Sequence, residues 1–202
     1  MTEPVLLGFT RHTLMDKIKS HLGDIDTAIE IGTWRGDFAN LMCSKLQPNK
    51  FYAIDPFALY EGYTDKPDVN EFGNQANLDR LAEQVKTRVA SFLPDGRSQL
   101  LREMSCNAVN QFADNSVDVV YVDADHKYEP VLADIRAWYA KVKPGGILCG
   151  DDYIEGSHIE KFGVIEAVKD FATEMNLKFA VTTGQNPSWI FCKNNENTFF
   201  DQ

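Results

Sequence analysis

Short runs of β-forming residues alternate with helical periodicities along most of this chain, which restricts it to a largely parallel sheet with crossover helices. Thr27–Ile31, Phe51–Ile54, Ser98–Arg102, Val117–Val122 and Ile147–Gly150 read as five strands. Between them lie apolar stripes at helical spacing, such as Leu78, Leu81, Val85 and Val89, or Val131, Leu132, Ile135 and Tyr139. Pro144-Gly145-Gly146 reads as the stop of that second helix. A helix from about Thr10 to Leu22 precedes the first strand, and one carrying Val164, Val168 and Phe171 follows the fifth. Lys178–Thr182 and Ser188–Cys192 then flank a turn. The expectation is an α/β, Rossmann-like sheet of seven strands, mostly parallel, with helices on both faces and a C-terminal antiparallel hairpin.

The 202 residues suit one domain, 1–202. The stretch 56–73 breaks the rhythm and reads as a substrate-side insertion, with Tyr60, Tyr63 and Phe72 as pocket or anchoring residues. The formal charge of −10 repels nucleic acid and anionic membrane, so neither is an expected partner. No apolar run approaches the roughly 18 residues of a membrane span, and the N-terminus does not read as a signal peptide. Cysteines 43, 106, 149 and 192 match no zinc or redox spacing and read as small buried hydrophobes of a reducing cytoplasm. The sequence allows a homo-oligomer.

In open α/β sheets ligands bind beyond the carboxyl ends of the strands, so those ends carry the chemistry. The first ends in Glu30-Ile31-Gly32-Thr33-Trp34-Arg35-Gly36. Gly32 permits a tight turn, Gly36 a close approach, and the next helix offers free N–H groups to an anion. Trp34 fills the place of the second glycine in a dinucleotide fingerprint, which disfavours a nicotinamide cofactor. Asp55 ends the second strand at a distance suited to a ribose diol. Asp123-Ala124-Asp125-His126 ends the fourth strand and Asp151-Asp152 the fifth. Carboxylates so crowded repel one another unless a hard divalent cation such as magnesium neutralises them. In a continuing strand Asp151 and Asp152 would point to opposite faces, so joint ligation needs the chain to leave strand geometry there.

Taken together, EIGTWRGDFA, FYAIDPF, VDVVYVDADHKYEPVLADIRAWYAKVKPGGILCGDDY and FGVIEAVKDFA resemble a class I methyltransferase that uses S-adenosylmethionine. The resemblance runs over about residues 25 to 192. It is nearest to the small metal-dependent O-methyltransferases that include the macrocin and aminocoumarin sugar methyltransferases. It implies Glu30, Gly32, Thr33, Trp34 and Gly36 at the methionine end of the cofactor, Asp55 at its ribose, Ser105 near its adenine, and Asp123 bordering it. It implies Asp123, Asp151 and Asp152 as metal ligands. For the base that deprotonates a hydroxylated small-molecule acceptor it offers two residues, His126 and Asp125. A sugar or glycoside is the acceptor that the resemblance implies. Two alternatives stay open: a protein that binds S-adenosylmethionine without catalysis, and a metal-containing relative of the cephalosporin-hydroxylase type on the same fold.

Overall fold

A computed structural model of the chain describes residues 3–59, 74–156, 161–194 and 199–200. Of the insertion 56–73 only its first four residues are described, so Tyr60, Tyr63 and Phe72 lie outside the described residues, as does His158, which follows the Asp151-Asp152 pair in the sequence. In chain order the elements are β1 (Val5–Leu6), α1 (Arg11–Leu22), β2 (Thr27–Ile31), α2 (Asp37–Leu46), β3 (Lys50–Ile54), α3 (Gln75–Ala90), β4 (Ser98–Leu101) and α4 (Ser105–Ala108). A 3-10 turn (Val109–Gln111), β5 (Val117–Val122), α5 (Tyr128–Lys141), β6 (Val142–Gly150), α6 (Val164–Glu174), β7 (Ala180–Val181) and β8 (Trp189–Cys192) follow.

Local chemistry sets several of these boundaries. α1 stops at Gly23, whose φ of +67° turns its N–H back to the carbonyl of Lys19. Asn74 starts α3 by accepting the N–H of Asn77 on its side chain at 3.0 Å. The residues Pro144-Gly145-Gly146 do not precede a strand, as expected, but lie inside β6. That strand begins directly after α5, and its register with β5 shifts between Val117 and Val119. A bulge absorbs residues that a regular ladder could not pair.

The sheet has eight strands in the order β1-β7-β8-β6-β5-β2-β3-β4, one more than the seven expected. The extra strand is β1, two residues paired in parallel with β7 at the edge. Two residues show no alternation, so sequence pattern carries no signal for it. β2 to β6 are mutually parallel, while β8 is antiparallel to both β6 and β7. The turn between β7 and β8 is too short for the crossover that a parallel pair needs, so β8 returns antiparallel.

Strand residues divide between two cores by alternation. Ala28, Phe51, Ala53, Val119 and Tyr121 pack with α1, α2 and α3. Ile29, Ile31, Ile54, Val120 and Val122 pack with α5 and α6. The strand order reverses between β2 and β5, which opens a crevice at their carboxyl ends. Cys43, Cys149 and Cys192 are buried as expected, but Cys106 is exposed on α4, whose buried residue is Ala108.

Candidate active site

The turn after β2 is shaped by backbone contact with β5. Gly32 has a φ of +84°, and a Cβ there would stand 1.8 Å from the carbonyl oxygen of Asp123. Glycine is therefore required by the protein's own chain. Gly36 also has a positive φ, +78°, as the residue capping α2. Asp55, at the end of β3, accepts the N–H of Trp34 on one carboxylate oxygen and that of Phe57 on the other, both at 2.9 Å. It thereby ties the turn to the neighbouring strand end. Burial raises its pKa, and those two N–H donors oppose the rise. Each oxygen retains acceptor capacity for a ligand hydroxyl.

Glu30 is 1 % exposed and accepts a hydrogen bond from the hydroxyl of Thr33. Burial pushes its pKa up to about 8, with Asp123 and Asp55 adding to the rise and Thr33 opposing it. A carboxyl group in such a place holds its proton near neutrality until a cation arrives.

Asp123, His126 and Asp152 bring one ligand atom each to within 4.8 Å of one another. The chain does leave strand geometry after β6, since Asp152 has a φ of +55°. The two adjacent carboxylates then part company. Asp152 lies 2.9 Å from Nε2 of His126 and accepts from Nδ2 of Asn186 at 2.6 Å. Asp151 is ion-paired with Arg11 of α1 and accepts from the Ser188 hydroxyl at 3.3 Å. The guanidinium of Arg11 also sits 5.3 Å from the Phe38 ring centre. Asp123 and Asp152 thus share the crevice with His126, while Asp151 is ion-paired with Arg11. Burial, then Asp151 and Asp152, push the Asp123 carboxyl up to about 7, with Arg11 and His126 opposing. The His126 ring stacks on Phe162, 4.2 Å between centres at 21°.

Asp125 and Ser105 have partners of their own. Oδ1 of Asp125 accepts the N–H of Lys127 at 2.9 Å, closing the turn into α5. The Ser105 hydroxyl donates to Asp134 at 2.6 Å and accepts from the indole N–H of Trp138 at 2.7 Å. Burial raises the Asp134 carboxyl to about 6, opposed by Ser105. Sequence reasoning did not single out Arg11, Asn186 or Asp134. Arg11 and Asn186 lie far along the chain from the carboxylates they touch, and Asp134 reads as an ordinary polar helix position, so no local pattern marks them.

A family described as "Methyltransferase domain" matches residues 29–153, most of the chain. An uncharacterized protein of Acanthamoeba polyphaga mimivirus is 27 % identical over 146 residues, covering 70 % of this chain and 58 % of that protein. The chain spans less than two thirds of the length of the curated relatives it matches. An rRNA methylase from Streptococcus thermophilus shares the fold with a TM-score of 0.61 at 13 % identity, covering 90 % of this chain and 95 % of that one. The O-methyltransferase from Bacillus cereus in complex with SAH does so with a TM-score of 0.60 at 12 % identity, covering 91 % and 80 %. Likeness at such identities is one of fold.

Proposed function

The chain belongs to this family of methyltransferase domains, and on that premise we propose that it transfers the methyl group of S-adenosylmethionine to a hydroxyl of a small molecule, a sugar or glycoside in the sharpest form of the reading. The observation that carries the proposal is the convergence of acidic residues from four strand ends on one crevice: Glu30, Asp55, Asp123 and Asp152. The buried Glu30 suits the ammonium of the cofactor's methionine end, and Asp55 suits its ribose hydroxyls. The net charge of −10 supports a small acceptor over a nucleic acid.

A divalent cation fits the remaining chemistry. Asp123 and Asp152 supply two hard oxygen donors to such an ion, and His126 stands beside them as a proton acceptor and not as a third donor. When bound, such an ion lowers the pKa of a coordinated hydroxyl. Asp151 would join only by leaving Arg11. We favour His126 over Asp125 as the base, because its imidazole stands in the crevice 2.9 Å from Asp152, while Asp125 accepts the backbone N–H of Lys127. A sulfonium methyl is already activated, so alignment of the acceptor oxygen and removal of its proton are what the protein must add.

The test has two stages. Calorimetry with S-adenosylhomocysteine should give saturable binding, weakened by about 1–3 kcal/mol in Asp55→Ala. A screen of hydroxylated acceptors with methyl-labelled S-adenosylmethionine should then give label in an ether that His126→Ala forms roughly a hundredfold more slowly. Absence of S-adenosylhomocysteine binding would sink the proposal, and label in a nitrogen or carbon product would overturn the hydroxyl acceptor.

A further inference from the structure

Beside the glycine turn, on the side of α3, lies a groove whose charge is opposite to that of the chain. Its volume is about 520 Å³. Three arginines line it, Arg35 from the turn and Arg80 and Arg88 from α3, together with the carboxamides of Asn77 and Gln84. Leu81 and Val85 form its apolar part and are themselves buried. Among the described residues none that lines it is acidic, in a protein with 30 carboxylates against 20 basic residues. The α3 contributors recur three and four residues apart, so they form one stripe along the helix. None of them belongs to the acidic crevice.

The stripe is held in place by contacts that leave it cationic. Nη1 of Arg88 donates to the carbonyl of Arg35 at 2.7 Å, and Nη2 pairs with Asp37 at 2.7 Å. Arg80 donates to the side-chain oxygen of Asn77. A guanidinium carries five N–H donors, so these contacts exhaust neither Arg80 nor Arg88. The Arg88–Asp37 pair is exposed, 41 % and 76 % at the side chains, and pairs of that kind bind weakly enough to yield to a better anion.

We propose that this groove binds a small phosphorylated molecule, with the phosphate on Arg35, Arg80 and Arg88 and the rest of the molecule beside Asn77 and Gln84, above the buried floor of Leu81 and Val85. Planar guanidinium groups match phosphate oxygens two at a time, and several together suit a dianion better than a single carboxylate. The volume falls in the range of roughly 300–1,000 Å³ for small-molecule sites and exceeds the needs of a bare ion. A long polyanion is disfavoured, because the field of the whole chain repels it. Among the described lining residues only Arg35 belongs to the glycine turn, so the ligand of the groove is separate from the methyl donor.

Calorimetry on the full chain tests this with three probes at fixed salt: inorganic phosphate, pyrophosphate and ribose 5-phosphate. Pyrophosphate is expected to bind one per chain with a Kd of about 1 mM or below. The double variant Arg35→Gln, Arg80→Gln should weaken that at least tenfold, while Lys86→Gln, on the same helix outside the groove, leaves it unchanged. Ribose 5-phosphate should bind more tightly than inorganic phosphate. Unchanged thermal unfolding of the double variant shows that the fold is intact. No saturable binding, equal losses in the Lys86 variant, or displacement of pyrophosphate by S-adenosylhomocysteine would overturn the site. Equal affinity for phosphate and ribose 5-phosphate would overturn the small-molecule ligand. Failure of S-adenosylhomocysteine to bind would affect the methyl-transfer reading and not this one.

Discussion

Glu30 is a carboxyl group placed where water scarcely reaches, and its burial makes stability depend on pH. Its folded pKa is raised from 4.5 to about 8. Between those values the folded protein holds more protons than the unfolded chain, so stability falls as pH rises through that window. Glu30→Gln removes the titration. The variant should lose less stability than wild type between pH 5 and about 8, by roughly 2–5 kcal/mol, measured by urea unfolding at several pH values. Parallel pH profiles for the two proteins would mean that Glu30 is ionised in the fold. Arg11 poses the complementary problem, a cation already seated on a buried carboxylate. Arg11→Gln leaves Asp151 without that partner and should cost about 1–3 kcal/mol, discounted because Arg11 is itself about a third exposed. A divalent cation that can take the place of Arg11 should raise the Tm of the variant more than that of wild type. Equal shifts on adding manganese would show that ion and arginine do not compete for Asp151.

At the scale of elements, the turn between β2 and α2 shows how one position fastens two strands. Asp123 donates its N–H to the carbonyl of Ile31 at 2.8 Å, and Gly32 donates to Ile54 at 2.8 Å, so the ends of β5, β2 and β3 meet at Gly32. Gly32→Ala must move either the turn or the Asp123 carbonyl, and it adds strain at positive φ. The expected cost is about 3 kcal/mol or more, with S-adenosylhomocysteine binding lost even where the variant folds, as followed by thermal unfolding and calorimetry. The glycine was legible in the sequence as a tight turn. What demands it, a carbonyl some ninety residues on, was not, because turn propensity reports φ and not what packs against the missing Cβ. The long helices were legible for the opposite reason. The α3 stripe Leu78, Leu81, Val85 and Val89 repeats its signal over several turns and buries all four side chains.

Over the whole molecule, the family match at residues 29–153 ends before the sheet does. α1, α6, β7 and β8 lie outside that span; α1 packs in the first core, α6 in the second, and β7 and β8 contribute side chains to both. A fragment of residues 29–153 should therefore keep helical far-UV dichroism but lose near-UV signal and cooperative unfolding, because β6 loses β8 and Leu148 loses its Phe191 neighbour. Cooperative melting of the fragment would show that the outer elements are appendages. The sequence by itself determined the alternation of strands and helices, the apolar stripes of the long helices, and the location of Glu30, Asp55, Asp123 and the Asp151-Asp152 pair at strand ends. These follow from periodicity and turn chemistry, which act over a few residues. Tertiary structure alone decided the eighth strand, the union of Asp123 and Asp152 with His126, and the capture of Asp151 by Arg11. Those choices are made between groups far apart in the chain, where the energy of one ion pair or one edge ladder depends on burial and approach that no local pattern encodes.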